Sequence, residues 1–245
     1  MMKTLARLLA VLSVAASSLL YVRIRCPVGP LKGTLWLLRL FAEALTPLIA
    51  LGGMLIVAGQ LSFITYVTTF LNQHRSLALG AAASVLATVQ LVGALGRVGI
   101  GRLSDRLGQR IGLLRWVAAL SGSALVLVGL LVDAPLVLLL PLLVVAGFLS
   151  MVSNGLAFTA TGEIAGTARA ATAMGFQNTF LFIAGVAAPI CFGAIVSAAG
   201  WRTGFLVVGV VGVLGWWVLA PLEPAERRGW ENPRVPALPP INRAG

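Results

Sequence analysis

Apolar runs separated by short polar breaks recur along almost the whole chain, at residues 5–22, 44–71, 77–100, 113–132, 135–158, 171–198 and 203–221. A helix rises about 1.5 Å per residue, so each run is long enough to span most or all of a hydrocarbon core of roughly 30 Å. The alternation of a barrel strand is absent. In lipid no water is available to backbone N–H and C=O groups, and a helix satisfies them within its own segment. The pattern therefore predicts an all-α protein, a polytopic transmembrane bundle of six to seven helices. Residues 1–43 hold a weak first segment, 5–22, and a connector; residues 44–221 form a six-helix domain; residues 222–245 are a tail.

Composition agrees: 59% of the 245 residues are hydrophobic, 10% are charged, and the mean hydropathy is +0.99. The lipid bilayer is the first partner this implies. The formal charge of +11 points to membrane topology and not to nucleic acid, because the basic residues sit in short breaks and form no stripe interleaved with aromatics. With the start of 5–22 outside, fourteen Lys and Arg residues, Arg97 among them, fall in inner loops and the tail, while Lys3, Arg7, Arg75 and Arg202 fall outside. The positive-inside rule then puts the break at 101–110 and the C-terminus on the cytoplasmic face of a plasma membrane, a bacterial inner membrane being the expected one.

The N-terminus fits this scheme badly, since Lys3 and Arg7 lie on the outer side. Residues 1–22 also have the basic start, apolar stretch and small residues of a signal peptide, and a third reading is a frame that begins inside a longer membrane protein. The tail, PLEPAERRGWENPRVPALPPINRAG, is rich in proline and charge and is expected to be disordered or loosely held at anionic lipid.

Cysteine and histidine offer little chemistry. Cys26 lies in a basic loop and Cys191 inside an apolar run, so no disulfide and no metal spacing are expected. His74 stands alone in the loop NQHRS and reads as solvated. No phosphate-binding loop, HExxH helix or nucleophile elbow occurs, so neither an enzyme nor a cofactor is expected.

Charge gathers once, in GRLSDRLGQR at residues 101–110, between the third and fourth runs. Gly101, Leu103, Asp105, Arg106, Gly108 and Arg110 stand at the spacing G-x-L-x-D-R-x-G-x-R. This stretch resembles the signature loop of the major facilitator superfamily, which joins the second and third helices of each six-helix half. Residues 168–202 are similar to the family's fifth or eleventh helix, and PLEPAERRG, residues 221–229, loosely resembles a Pro-Glu motif that follows the last helix of a half. The likeness covers about residues 40–229. It implies the second half of a twelve-helix transporter, with residues 5–22 as its sixth helix and a first half, or a second copy of the chain, needed to complete the path.

Two readings of the loop stand side by side. In one, Arg102, Arg106 and Arg110 anchor it inside, Gly101 and Gly108 permit the turn, and Asp105 caps the next helix, whose N-terminal dipole favours negative charge. In the other, which the resemblance implies, Asp105 and the arginines form a switchable ion-pair gate at the cytoplasmic mouth, with Glu163 in the loop TATGEIAGTARA as partner of Arg102 or Arg106.

Polar residues inside the runs face neighbouring helices or a watery cavity. The candidates for contact with a small-molecule solute are Gln60, Phe63, Tyr66, Gln90, Asn154, Gln177 and Asn178; interhelical hydrogen bonding is the alternative for each. Acids are absent from the middles of the runs, so a carboxylate proton relay has no place in this chain. Gly185, Pro189 and Gly193 predict a bend in the sixth run, and Pro189 is the hinge candidate. The function expected is secondary transport of a small organic solute by alternating access; the alternative is a truncated, non-transporting membrane protein with a scaffold or regulatory role.

Overall fold

The computed structural model describes residues 45–166 and 170–227. The expectations for residues 1–43, for the basic residue Arg169 and for the tail beyond residue 227 lie outside them. The chain divides into two units, Met1–Glu43 and Ala44–Gly245, and all described residues belong to the second.

Helix α1, Leu45–Thr69, ends in a π-helical turn, Phe70–His74. α2 is Leu79–Leu107, α3 Ile111–Leu130, α4 Leu136–Met151, α5 Ser153–Ala165 and α6 Ala170–Val218. A 3-10 turn, Ala220–Leu222, and a short helix, α7, Glu223–Arg227, follow. Among the described residues, five helical stretches are long and apolar enough to cross a membrane, α4 and α5 counting as one, Leu136–Ala165.

α6 crosses twice. At Gly200 the backbone leaves the helical region, with φ at +82°, a conformation open mainly to glycine. The rings of Phe192 and Phe205 are 5.4 Å apart, whereas in one straight helix they would be about 20 Å apart. The two legs therefore lie antiparallel, so among the described residues each of the six apolar runs from 44 to 221 corresponds to a helical pass; the first run, 5–22, lies outside them.

The first leg of α6 is not broken at Pro189, and Gly200 is its one non-helical residue. At the break between α4 and α5, Ser150 Oγ donates to Ala146 O and Ser153 Oγ to Ser150 O.

Two hydrophobic clusters fill the interior. One, with Phe63, Phe70, Phe192 and Phe205, sits toward the turn that carries Asp133. The other, with Ile49, Ile56, Ile111 and Leu114, sits toward the turn that carries Arg110. Between them the helices meet backbone to backbone. A Cβ added to Gly122 of α3 would lie 2.5 Å from Val213 N and 2.7 Å from Gly209 O in the second leg of α6. Apolar burial gains little when the alternative is a lipid tail, so these close glycine contacts are what join helix to helix.

That packing leads to the first expectation. G122V should push α3 off the second leg of α6 and destabilise the bundle by about 1–3 kcal/mol. G99V, at a position with nothing within 4 Å of an added Cβ, should leave the melting temperature in detergent nearly unchanged. Equal melting temperatures for the two variants would count against glycine packing as the cause.

Candidate functional site

The stretch 101–110 is mostly helix. α2 runs on to Leu107, the turn is only three residues long, and Gly108 supplies it with φ at +62°. Gly101 lies inside α2, not in a turn. α2 continues past the apolar run because its last two turns lie beyond the hydrophobic cluster, where polar side chains are solvated.

Arg110 holds the site together. Its Nη1 donates to Asp105 Oδ1 at 2.6 Å and to Ser104 Oγ at 3.1 Å, and its Nε donates to Glu163 Oε1 at 3.0 Å. Ser104, fully buried, in turn donates to Gln109 O at 3.1 Å. Burial alone would lower the Arg110 pKa, but the hydrogen bonds and charges of Asp105 and Glu163 more than offset this and raise it, so the guanidinium is a permanent cation. One side chain thereby ties the end of α2, the start of α3 and the end of α5. Glu163 lies in the last turn of α5 and pairs with Arg110, not with Arg102 or Arg106. Those two arginines are exposed on α2, without an ion pair to any described residue.

The cap expected of Asp105 comes from Glu226. Its carboxylate accepts the backbone N–H of Arg110, of Ile111 at 2.9 Å and of Gly112 at 3.1 Å. These are donors that the first turn of α3 leaves unsatisfied, at the positive end of its dipole. Asp105 cannot take this role because the turn carries it to the Arg110 side chain instead. α7 is further held by Glu223, which pairs with Arg115 Nη1. Arg115 Nε donates to Trp216 O at 3.2 Å, and its guanidinium lies 4.6 Å from the Trp216 ring centroid. Disorder predicted from residue 222 therefore does not hold for Glu223–Arg227, because two carboxylates find buried partners on α3. Glu226 was legible only as an acid five residues past the last apolar run in a chain with seven acids.

At the opposite end His74 is not merely solvated. Its Nε2 lies 3.0 Å from Asp133 Oδ1, its ring stacks on Phe70, and Asp133 Oδ2 accepts from Arg202 Nη2 at 3.3 Å. Arg75 Nη2 donates to Ala134 O at 2.6 Å. This cluster joins the end of α1 to the α3–α4 turn and the turn at Gly200. The hydrogen bond from His74 holds the Asp133 carboxyl below the ordinary carboxylate range, against an opposing contribution from desolvation, and the charges of His74 and Arg202 add to the lowering.

The solute candidates divide. Phe63 is a core residue, and Tyr66 packs on Phe192 at 5.1 Å and Trp201 at 6.4 Å. Gln90 is exposed on α2, while Asn154 and Asn178 are half-buried. Gln60 and Gln177 are buried between helices. Gln60 Nε2 reaches Met151 Sδ at 3.9 Å, but its Oε1, and both polar atoms of Gln177, have no partner. Arg97, counted from the sequence among loop residues, is within α2, where its Nε donates to Met151 O at 3.0 Å.

Comparison with known proteins adds a family. Residues 5–189 and, in an overlapping match, 49–242 fit the family model described as the Major Facilitator Superfamily. The chain is 30% identical over 156 residues to the uncharacterized MFS-type transporter Rv2994 of Mycobacterium tuberculosis, which covers 64% of this chain and 35% of that protein. It is 28% identical over 190 residues to the probable sulfoacetate transporter SauU of Cupriavidus necator, covering 75% of this chain and 42% of the relative. The chain thus spans between about a third and two-fifths of these relatives' length.

Two outcomes follow from the ends of the bundle. E226A should cost about 1–2 kcal/mol, as loss of a helix cap does, and E226Q less; detergent melting curves that do not separate the three proteins would refute the cap. For Asp133 the lowered pKa means that its contribution is present above the ordinary carboxylate range and is lost as pH falls through the lowered value. The melting-temperature gap between wild type and D133N should therefore be steady above about pH 5, begin to shrink below about pH 4, and close only as pH falls through the lowered value.

Proposed function

The chain belongs to the Major Facilitator Superfamily, and from that premise we propose that residues 44–221 act as one half of a secondary transporter that moves a small organic solute by alternating access. It is a multi-pass membrane protein, and the proposal places the Arg110 end and the C-terminus at the cytoplasm of a bacterial inner membrane. The exposed Arg102 and Arg106 beside Arg110 and Arg115 support that orientation under the positive-inside rule.

The observation that carries the reading is the Arg110 latch. Three elements meet on one permanent cation through two carboxylates, Asp105 and Glu163, that are 64% and 40% exposed in their side chains. Exposed ion pairs are individually weak, about 0–1 kcal/mol each, and that is the scale on which a solute can tip a two-state equilibrium. The other half of the path would come from a second six-pass unit, either a different chain or another copy of this one. Large apolar side chains exposed along α2 and the first leg of α6, Leu91, Leu95, Phe182 and Ile190 among them, give that unit a surface to meet. Gln60 and Gln177 are the solute-facing candidates that best suit the reading, because their buried amides lack partners. Pro189 is proposed as the hinge of the first leg of α6. The relative named for sulfoacetate makes small organic anions the class to offer first.

Uptake of radiolabelled solutes by proteoliposomes holding the full chain tests this. D105N and E163Q should each change initial uptake by roughly two- to fivefold, the effect of about 1 kcal/mol on the balance between states, with unchanged elution on size exclusion. Wild-type chain that moves no member of a panel of small anions, cations and neutral solutes would sink the transport reading.

A further inference from the structure

We propose that the seam between α1 and the first leg of α6 parts at the end nearer Arg110 and lets water or solute reach Gln177, the closed seam being one end state of the transport cycle. The inference deepens the transport reading and rests on it.

Buried polar atoms single out α1. Among the described residues, the buried side-chain nitrogens and oxygens with no hydrogen-bond partner in the protein are Gln60 Oε1, Ser62 Oγ, Thr68 Oγ1, Arg75 Nε and both polar atoms of Gln177. Four of these five residues lie on α1 or just past the π-helical turn that ends it. Hydroxyls on other helices are satisfied locally: Thr161, Thr179 and Thr203 each donate to the carbonyl four residues back.

Gln177, the fifth, faces α1 from the first leg of α6. It is 0% exposed, and a Cβ added to Gly53 would lie 3.4 Å from its Nε2 and 3.6 Å from Leu181 Cδ2. Burying an amide without its hydrogen bonds is costly, and an apolar side chain of similar size would fill the position without that cost. Glutamine suits this position if the amide meets water or solute in a second arrangement of the two helices.

Packing along the seam gives the direction of opening. Gly53 meets Gln177, Leu61 meets Gly185 and Tyr66 meets Gly193, so contacts advance together and the two helices run parallel. A Cβ added to Gly193 would collide with Tyr66 Oη, and the Tyr66 ring lies 5.1 Å from that of Phe192 and 6.4 Å from that of Trp201. At Gly185 an added Cβ would be 3.2 Å from Leu61 Cδ1. Contact is thus closest where the aromatic cluster locks the helices and slackest beside Gln177. Parallel helices held at one end part at the other. The exposed Arg110–Glu163 pair ties down the last turn of α5, the helix that leads into this leg, at that same end.

Thermal melting in detergent and uptake by proteoliposomes, both with the full chain, test the seam. Q177L removes the unmade hydrogen bonds, so it should raise the melting temperature by about 2–6 °C. It should also slow initial uptake about fivefold, because the closed state becomes harder to leave. Q177M should act in the same sense and decides where Q177L fails to insert. Opening is read directly in a C26S/C191S background: methanethiosulfonate ethylammonium should modify Q177C but not A184C, a buried position further along the same leg. A lowered melting temperature in folded Q177L and Q177M would mean that the amide is hydrogen-bonded in the closed state and would overturn the proposal. Wild-type uptake by the stabilised variants, or equal modification of Q177C and A184C, would overturn it as well. The transport reading fails separately. Uptake by wild type with Q177C unmodified sinks the seam alone, whereas selective modification of Q177C and a stabilised Q177L without uptake of any solute sink transport and leave the seam standing.

Discussion

A charge without water or a counter-ion is the costliest object a lipid-embedded helix can carry, and this bundle is arranged around that cost. All five described acids sit at its two ends, and each is engaged. Asp105 and Glu163 meet Arg110, Glu223 meets Arg115, Glu226 meets the open N–H groups of α3, and Asp133 meets His74 and Arg202. The interior between the ends is left to apolar side chains, glycines and a few amides. Arg97 stands apart from this order: it lies inside α2, exposed, and its Nε donates to Met151 O at 3.0 Å.

The same solvent decides how the helices hold one another. In water, burying Phe63 or Leu114 would itself drive folding; in lipid the exposed and buried states of an apolar side chain differ little, and contact quality matters instead. The backbone-to-backbone approach of Gly122 to Gly209 and Gly212 gives α3 and the second leg of α6 such contact over their middles. Arg115, reaching Trp216 and Glu223, then fastens the same pair at one end. α2 and the first leg of α6 have fewer such contacts and present large apolar residues outward.

The six passes were legible because the constraint that creates them, backbone satisfaction over the thickness of a membrane, acts on every residue of a run and leaves a long apolar signal. Its ends were not. Hydropathy stops α2 near residue 100, yet the helix continues to Leu107, since a polar helix outside lipid costs nothing extra. For the same reason Gly101 read as a turn residue and Arg97 as part of a loop. The cluster around residue 110 was visible as charge, with Asp105, Arg110, Gly108 and Glu163 all named, but its pairing was not. Glu226 and the helix end it caps are separated by more than a hundred residues, and nothing local distinguishes it from Glu223. The capping role fell to Asp105 by proximity in sequence, when proximity in space belonged to Glu226. Phe63 and Tyr66 shared a helical face with Gln60, but that face continues into an aromatic cluster at its outer end, so spacing alone could not separate core from cavity.

Arg97 and Asp105 ride on the same helix, eight residues and about 12 Å apart along its axis. One is bonded to the break between α4 and α5; the other is bonded through Arg110 to the far end of α5. α2 is thus gripped at two places along its length, and where it lies against the break sets where Asp105 lies. Any axial movement of α2 against the break is delivered to Asp105 and strains its ion pair with Arg110. The pairs at that end are exposed and weak enough to yield to such a pull, while the backbone cap supplied by Glu226 keeps the start of α3 in place. A charge held at the α4–α5 break and an end latch on one helix are therefore linked by geometry, with no intermediate residues needed to carry the signal.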